Sequence, residues 1–314
     1  EASEGAARAS VDGREAAAPP HGRSWSIDYR VRRMVDSATT YEFGTPLDEP
    51  EPFAPLSRLS FSLDSTWHGL QFGLAQPKWR VQCEWLTPMQ QHIAGVMADY
   101  DWNIDEPADD PSRLDSLTHS FLRWNDGHMV DLGGAFKLAD RLCDLPIEFW
   151  PMAGFRFQKF DMMASDLVYL VPADGPDPST AGVDVIAFDQ HYYVGYFGGQ
   201  WGTTWRIGQT PLAIRFQGDV GPVAGHNVDH HLLREGDRYT IERTSGGAWH
   251  MALGLDVPLT RHLNLGCQAD YLDIRTTGRH RLLNEPLEQD LTWTNGVLVT
   301  SQQASLAVYV RASF

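Results

Sequence analysis

The carboxy-terminal stretch Ala304–Phe314 constrains the fold of this chain more than any other. Leu306, Val308, Val310, Ala312 and Phe314 alternate with Ser305, Ala307, Tyr309, Arg311 and Ser313, and the chain stops on the aromatic residue. A period of two means a strand with unlike faces. One face here is apolar and the other mostly polar. A transmembrane β-barrel needs strands of roughly ten residues that are apolar towards lipid and polar towards the lumen. One such segment specifies only a half-covered strand, so its recurrence is what matters.

The pattern recurs along the chain. Ile27, Tyr29 and Val31 oppose Asp28, Arg30 and Arg32; Leu59, Phe61 and Leu63 oppose Ser60, Ser62 and Asp64; Trp79, Val81, Cys83 and Trp85 oppose Arg80, Gln82 and Glu84. Val130, Leu132, Phe136 and Leu138 mark a fourth strand, and a fifth runs from Phe149 to Phe160. A sixth covers about 184–207, and Leu212, Ile214 and Phe216 belong to a seventh. Segments beginning at Trp249 and Leu263, and a last one over about 292–314, complete ten. Connections near 76, 142, 210 and 260 read as short; those at about 44–55, 88–116, 161–183, 222–239 and 280–291 read as long and polar. Strict alternation of short and long connections predicts an all-β, antiparallel, ten-stranded transmembrane barrel, with short periplasmic turns and long extracellular loops.

Composition agrees with this reading. In 314 residues no apolar run approaches the roughly 18 that a membrane helix needs. Eleven Trp and ten Tyr suit membrane–water interfaces. A formal charge of −16 argues against a nucleic-acid partner, whose phosphates would be repelled. Cys83, Cys143 and Cys267 have neither disulfide-framework nor metal spacing. Residues 1–24 are rich in Ala, Glu, Gly and Pro and are expected to form a disordered periplasmic tail. No charged-then-apolar leader opens the chain, which reads as a mature form.

Two of the long connections carry residues able to do chemistry. One holds Asp99-Tyr-Asp101-Trp102, the other Asn227-Val-Asp229-His-His231, and alternation places both at the same mouth. An Asp and a His two apart on an extended segment share a side, so the carboxylate orients the imidazole and raises its basicity. A facing carboxylate pair could hold the water that this imidazole deprotonates, and mutual repulsion would raise the pKa of one member. His226, His230 and His231 cluster without a Cys or a spaced carboxylate pattern, so no metal site is expected.

In order and spacing these features resemble the omptins, outer-membrane aspartyl-type endopeptidases built on a ten-stranded barrel. The resemblance covers about residues 25–314. Ser57-Arg-Leu-Ser-Phe-Ser-Leu63 is similar to the family's second strand, and Met97-Ala-Asp-Tyr-Asp-Trp102 to its D-x-D-W segment. Ser112-Arg113, Pro151-Met-Ala-Gly-Phe155, Gly221-Pro-Val, Asp229-His-His231 and Arg238-Tyr239 follow in the family's order. The resemblance implies hydrolysis of peptide bonds by water, with His231 as general base oriented by Asp229. It implies that Asp99 and Asp101 position that water, and that Ser112 is an accessory residue. It also implies lipopolysaccharide as an outer-wall partner held by basic residues such as Lys159, and a monomer acting on cell-surface peptides or proteins.

The chain departs from the family at several positions. An acid expected two residues before the dyad Asp is Asn227, which would still contact substrate; another expected near the top of the first strand falls in Ser37-Ala-Thr-Thr40. A His expected after Ser-Arg is Leu114, and an expected outer-wall Arg is His191. Loss of those acids leaves a second reading open: a catalytically idle barrel serving as an adhesin or as part of a surface assembly. A pore is a third reading, although small barrels fill their lumen and inward Arg30, Arg32, Arg80, Glu84 and Arg215 could pair across it.

Overall fold

The computed structural model describes residues 23–44, 55–102, 114–171, 175–234 and 238–314. Ten antiparallel strands close into a barrel among them. β1 is Ser24–Gly44; β2 runs in two pieces, Pro55–Ser62 and Thr66–Gln76; β3 also has two, Trp79–Pro88 and His92–Trp102. β4 is Leu114–Phe136, β5 Glu148–Val171, β6 Asp184–Ile207 and β7 Thr210–His231. β8 is Arg238–Pro258, β9 Leu263–Asn284 and β10 Gln289–Ser313. Each strand pairs with its sequence neighbour, and β1 meets β10 from Ser26↔Ser313 to Phe43↔Val297. The Phe314 N–H donates to the Trp25 carbonyl at 2.9 Å, so the terminal alternation seals the barrel. No helix among the described residues is long and apolar enough to cross a membrane, which says nothing of strands.

The outer wall carries an exposed apolar belt that includes Phe72, Leu132, Phe155, Phe197, Val220, Met251, Leu265 and Leu306. Leu132 and Leu306 are outward positions that the alternation identified; Leu59, Phe61 and Leu63, an apolar phase of the same kind, instead face inwards and are buried, because above the belt the apolar residues fill the interior. At the end where the chain termini lie, the turns are tight. Pro77-Lys78 and Gly208-Gln209 each join a hairpin, and Gly208 takes a positive φ of 63° that favours glycine. The β4–β5 connection is longer than the others at this end, because β4 stops at Phe136 and Leu138 lies beyond it. Of the expected tail, only Arg23 and Ser24 fall among the described residues, and Ser24 is already in β1.

The strands outrun the expectation. β1 has 21 residues and β10 has 25, whereas roughly ten suffice to cross a bilayer. Much of what read as long loops is therefore strand: β3 continues to Trp102, β5 to Val171, β7 to His231 and β9 to Asn284. The physical reason is that backbone ladders need no apolar face. Beyond the belt the outer wall meets water, both faces carry polar residues, and alternation disappears while the hydrogen bonds continue.

Inside, two layers differ. At belt level the lumen is packed with ion pairs. Arg30 and Arg32 reach the two Glu84 oxygens at 2.5 and 2.9 Å, while Arg156 holds Asp131 at 2.7 Å and Asp219 at 2.6 Å. Arg215 meets Asp256 at 2.5 Å, and Arg80 bonds Gln200. A cavity of about 100 Å³ remains among them. Above it lies an apolar plug in which Trp67 packs edge-on to Trp124 and Phe61 stacks on Phe188 at 4.1 Å, with Met34, Phe160 and Tyr192 fully buried beside them. The interior is filled from wall to wall at this height, which gives the upper end a solid floor. Cys83, Cys143 and Cys267 are free.

Candidate active site

Above the plug the inner wall turns polar. β7 presents Asn227, Asp229 and His231 inwards in succession, because positions two apart on a strand share a face. Asp229 is fully buried, opposite Phe188 of β6 and Thr240 of β8. Its Oδ2 stands 3.0 Å from His231 Nε2, close but without hydrogen-bond geometry, and both Asp229 oxygens are buried without a hydrogen-bond partner. A neutral imidazole at this position offers one ring-nitrogen lone pair that can act as a base.

Asp99 and Asp101 lie on β3, paired with Leu59 and Ser57 of β2 on one side and with Thr118 and Ser116 of β4 on the other. Both are strand residues, not loop residues, as are Asp229 and His231. Asp99 Oδ1 is buried and accepts no hydrogen bond. Burial, and then the neighbouring Asp101 carboxylate, push Asp99 up to about 7. Asp229 adds to that rise, while His231 and Arg234 oppose it. Groups on β7 thus act on Asp99 across the interior, and the two pairs share one electrostatic environment. An aspartate poised near neutrality can hold or release a proton at working pH.

Behind the dyad lies a row of which the sequence motifs announce only Asn227. Gln190 of β6, Asn227 of β7, Glu242 of β8 and His280 of β9 are successive cross-strand partners, and every one of these side chains is buried. Glu242 Oε1 and the Tyr41 hydroxyl lie 2.9 and 3.0 Å from His280 Nδ1, and Phe43 covers the imidazole. Burial, then the Asp229 charge, raise Glu242 well above the usual carboxylate range; burial, then Arg238, lower His280 to about 4. At neutral pH the pair is a neutral acid bonded to a neutral imidazole.

The other expected residues fall elsewhere. Ser112, with Arg113, lies outside the described residues. Lys159 is on the outer wall just above the belt, bound to Asp126 at 2.8 Å, so its charge already has a partner. It belongs to an outward row in which His128, Lys159, His191, His226, Arg243 and Arg279 are successive cross-strand neighbours. Among the described residues no three His, Cys, Asp or Glu side chains gather as a metal site requires.

No family model matches the sequence, and no curated protein matches it. Solved structures do. The crystal structure of the outer membrane protease OmpT from Escherichia coli superposes with a TM-score of 0.75 over 93% of this chain and 97% of that one, at 16% identity. The chain has the omptin fold. Other barrels fit far more loosely: the translocator domain of the autotransporter NalP from Neisseria meningitidis gives 0.36 over 90% of this chain and 87% of that one, at 7% identity. The toluene transporter TodX from Pseudomonas putida gives 0.28 over 94% and 90%, at 9% identity. In this fold β3 and β7 stand across the interior from one another, and groups about 130 positions apart in the chain act on one another electrostatically.

Proposed function

We propose that this omptin-like barrel is an outer-membrane endopeptidase whose site opens to the cell exterior. The observation that carries the reading is the Asp229–His231 contact of 3.0 Å facing a carboxylate pair in which Asp99 is poised near 7. A water held between His231 and the Asp99/Asp101 pair attacks the peptide carbonyl carbon, and its proton passes to His231 Nδ1. Asp229, 3.0 Å from Nε2, stabilises the imidazolium that forms. The Asp99 proton is donated towards the developing oxyanion. His231 then returns its proton to the leaving nitrogen as the C–N bond breaks. No side-chain hydroxyl attacks and no covalent intermediate forms; Ser112 is an accessory polar group, and Asn227 contacts the substrate.

The same reading gives the barrel an anionic lipid partner. The outward basic row lies at headgroup height above the belt, and Arg243 and Arg279 face one another directly, an arrangement of like charges that an anion relieves. Lys159 and this row hold lipopolysaccharide phosphates and support activity of the monomer. The test is incubation of the refolded barrel, with lipopolysaccharide, with a degenerate peptide pool and mass spectrometry of new termini. Cleavage by the wild type that His231→Ala abolishes is the expected result. Absence of any new terminus would overturn the reading and favour an idle barrel acting as an adhesin.

A further inference from the structure

The buried row behind the dyad contains more unmet hydrogen-bonding capacity than a structural wall has reason to keep. Neither the oxygen nor the nitrogen of the Asn227 amide has a partner, and the same holds for Gln190. Both residues are completely buried, and they are direct cross-strand neighbours that do not bond one another. Glu242 Oε2 and the Thr244 hydroxyl, on the same wall, are also without partners. Buried amides are almost always satisfied, and leaving one unsatisfied forfeits the hydrogen bonds it made to water in the unfolded chain. At belt level single atoms such as Arg30 Nε and Asp270 Oδ2 also lack partners, but those side chains are held through their other atoms, whereas the Asn227 and Gln190 amides are held through none.

Asn227 precedes Asp229 by two residues on the same inward face of β7, so its amide stands one side-chain position from the dyad. We propose that Gln190 and Asn227 form a side-chain pocket beside the scissile bond that takes a neutral, amide-bearing residue, glutamine or asparagine, in preference to arginine or lysine. The proposal rests on the endopeptidase reading and deepens it. Two orphan donors and two orphan acceptors complement a primary amide, which offers both functions in one plane. An aliphatic side chain would leave all four unmet. A cation would bring only donors, and it would find no ionised acid in the row. Glu242 supplies none, because its proton is shared with His280 at 2.9 Å and burial keeps it neutral. Sites built to hydrogen-bond a polar group reject analogues that lack it by large factors, for the same reason.

The experiment compares quenched peptides that differ only in the residue contributing the attacked carbonyl: Gln, Asn, Arg, Lys, Leu and Ala. The expected result is kcat/KM for Gln or Asn at least tenfold above Arg and Lys. Asn227→Asp should raise cleavage after Arg and Lys by at least tenfold, and Gln190→Leu should erase the amide preference without creating a basic one. Fluorescence-polarisation binding of the same peptides to His231→Ala reads the pocket separately from turnover. Tighter binding of the Gln peptide without cleavage by the wild type would uphold the pocket and sink the hydrolytic reading. Equal binding of all six, or preference for Arg or Lys in the wild type, would overturn the pocket while leaving hydrolysis intact.

Discussion

The two halves of the barrel interior handle buried polarity in opposite ways. At belt level Arg156 spans Asp131 and Asp219, with His250 2.8 Å from the same Asp219; Arg311 holds Asp28 at 2.7 Å. Most charges there are matched to counter-charges, although Arg30 Nε, Arg32 Nε and Asp270 Oδ2 lack hydrogen-bond partners beside the cavity of about 100 Å³. Above the apolar plug, Gln190 and Asn227 are buried without partners and an aspartate is held near neutral pH. A largely paired network stabilises one arrangement of strands, whereas side chains held by no partner at all are free to meet a second molecule. The contrast separates the part of the interior that holds the barrel together from the part that does chemistry.

Substitutions in each half should therefore affect different measurements. Asp229→Asn or His231→Ala should lower kcat/KM by about 10²–10⁴, the range that a lost general base costs, with the folded barrel's heat-modifiable mobility unchanged. Arg156→Ala should do the reverse. It removes the cation shared by Asp131 and Asp219, leaving them only Tyr196, Gln217 and His250; breaking a buried pair costs about 3–5 kcal/mol, read as a lower urea midpoint with near-normal turnover below it. Should Arg156→Ala abolish hydrolysis while leaving the midpoint in place, the division would be wrong.

A smaller effect is expected from pH. Asp99 carries a proton below about 7, and hydrolysis that uses that proton should decline as pH rises through this value. Asp99→Asn should be slower yet lose that decline. The same group affects stability with a defined sign. The folded state keeps a proton that the unfolded chain releases near pH 4, so stability should fall between about pH 4 and 7, and the Asn variant should show a flatter profile. The smallest change is expected at the outer wall. Lys159→Gln removes one of six row members whose charge is already shared with Asp126, so stimulation by lipopolysaccharide should drop only about twofold, consistent with an exposed pair contributing about 0–1 kcal/mol.

Much of this was legible in the sequence, and the limits have physical causes. Leu306, Val308 and Val310 face outwards because lipid requires it, so the belt, the strand count and the closing β1–β10 pair follow from alternation. The upper halves of β3, β5, β7 and β9 were read as loops, since water on the outer wall removes the apolar signal without removing the ladder. The D-x-D and D-x-H spacings single out Asp99, Asp101, Asp229 and His231, and the structure places them on two strands, with Asp229 and His231 acting on Asp99 electrostatically. Gln190, Glu242, His280 and Tyr41 carried no signal at all. They become neighbours only through strand register, which a single sequence does not state. Ser112 and the loop around it lie outside the described residues.

The central claim is that the Asp99/Asp101 pair and the Asp229–His231 dyad act on one water as a unit. A double-mutant cycle of Asp99→Asn and His231→Ala on kcat/KM tests it most directly, because groups that act together are strongly non-additive. The double variant should be about as slow as the slower single one. Losses that simply multiply would mean that the two carry out their roles independently, and the shared-water mechanism would be contradicted.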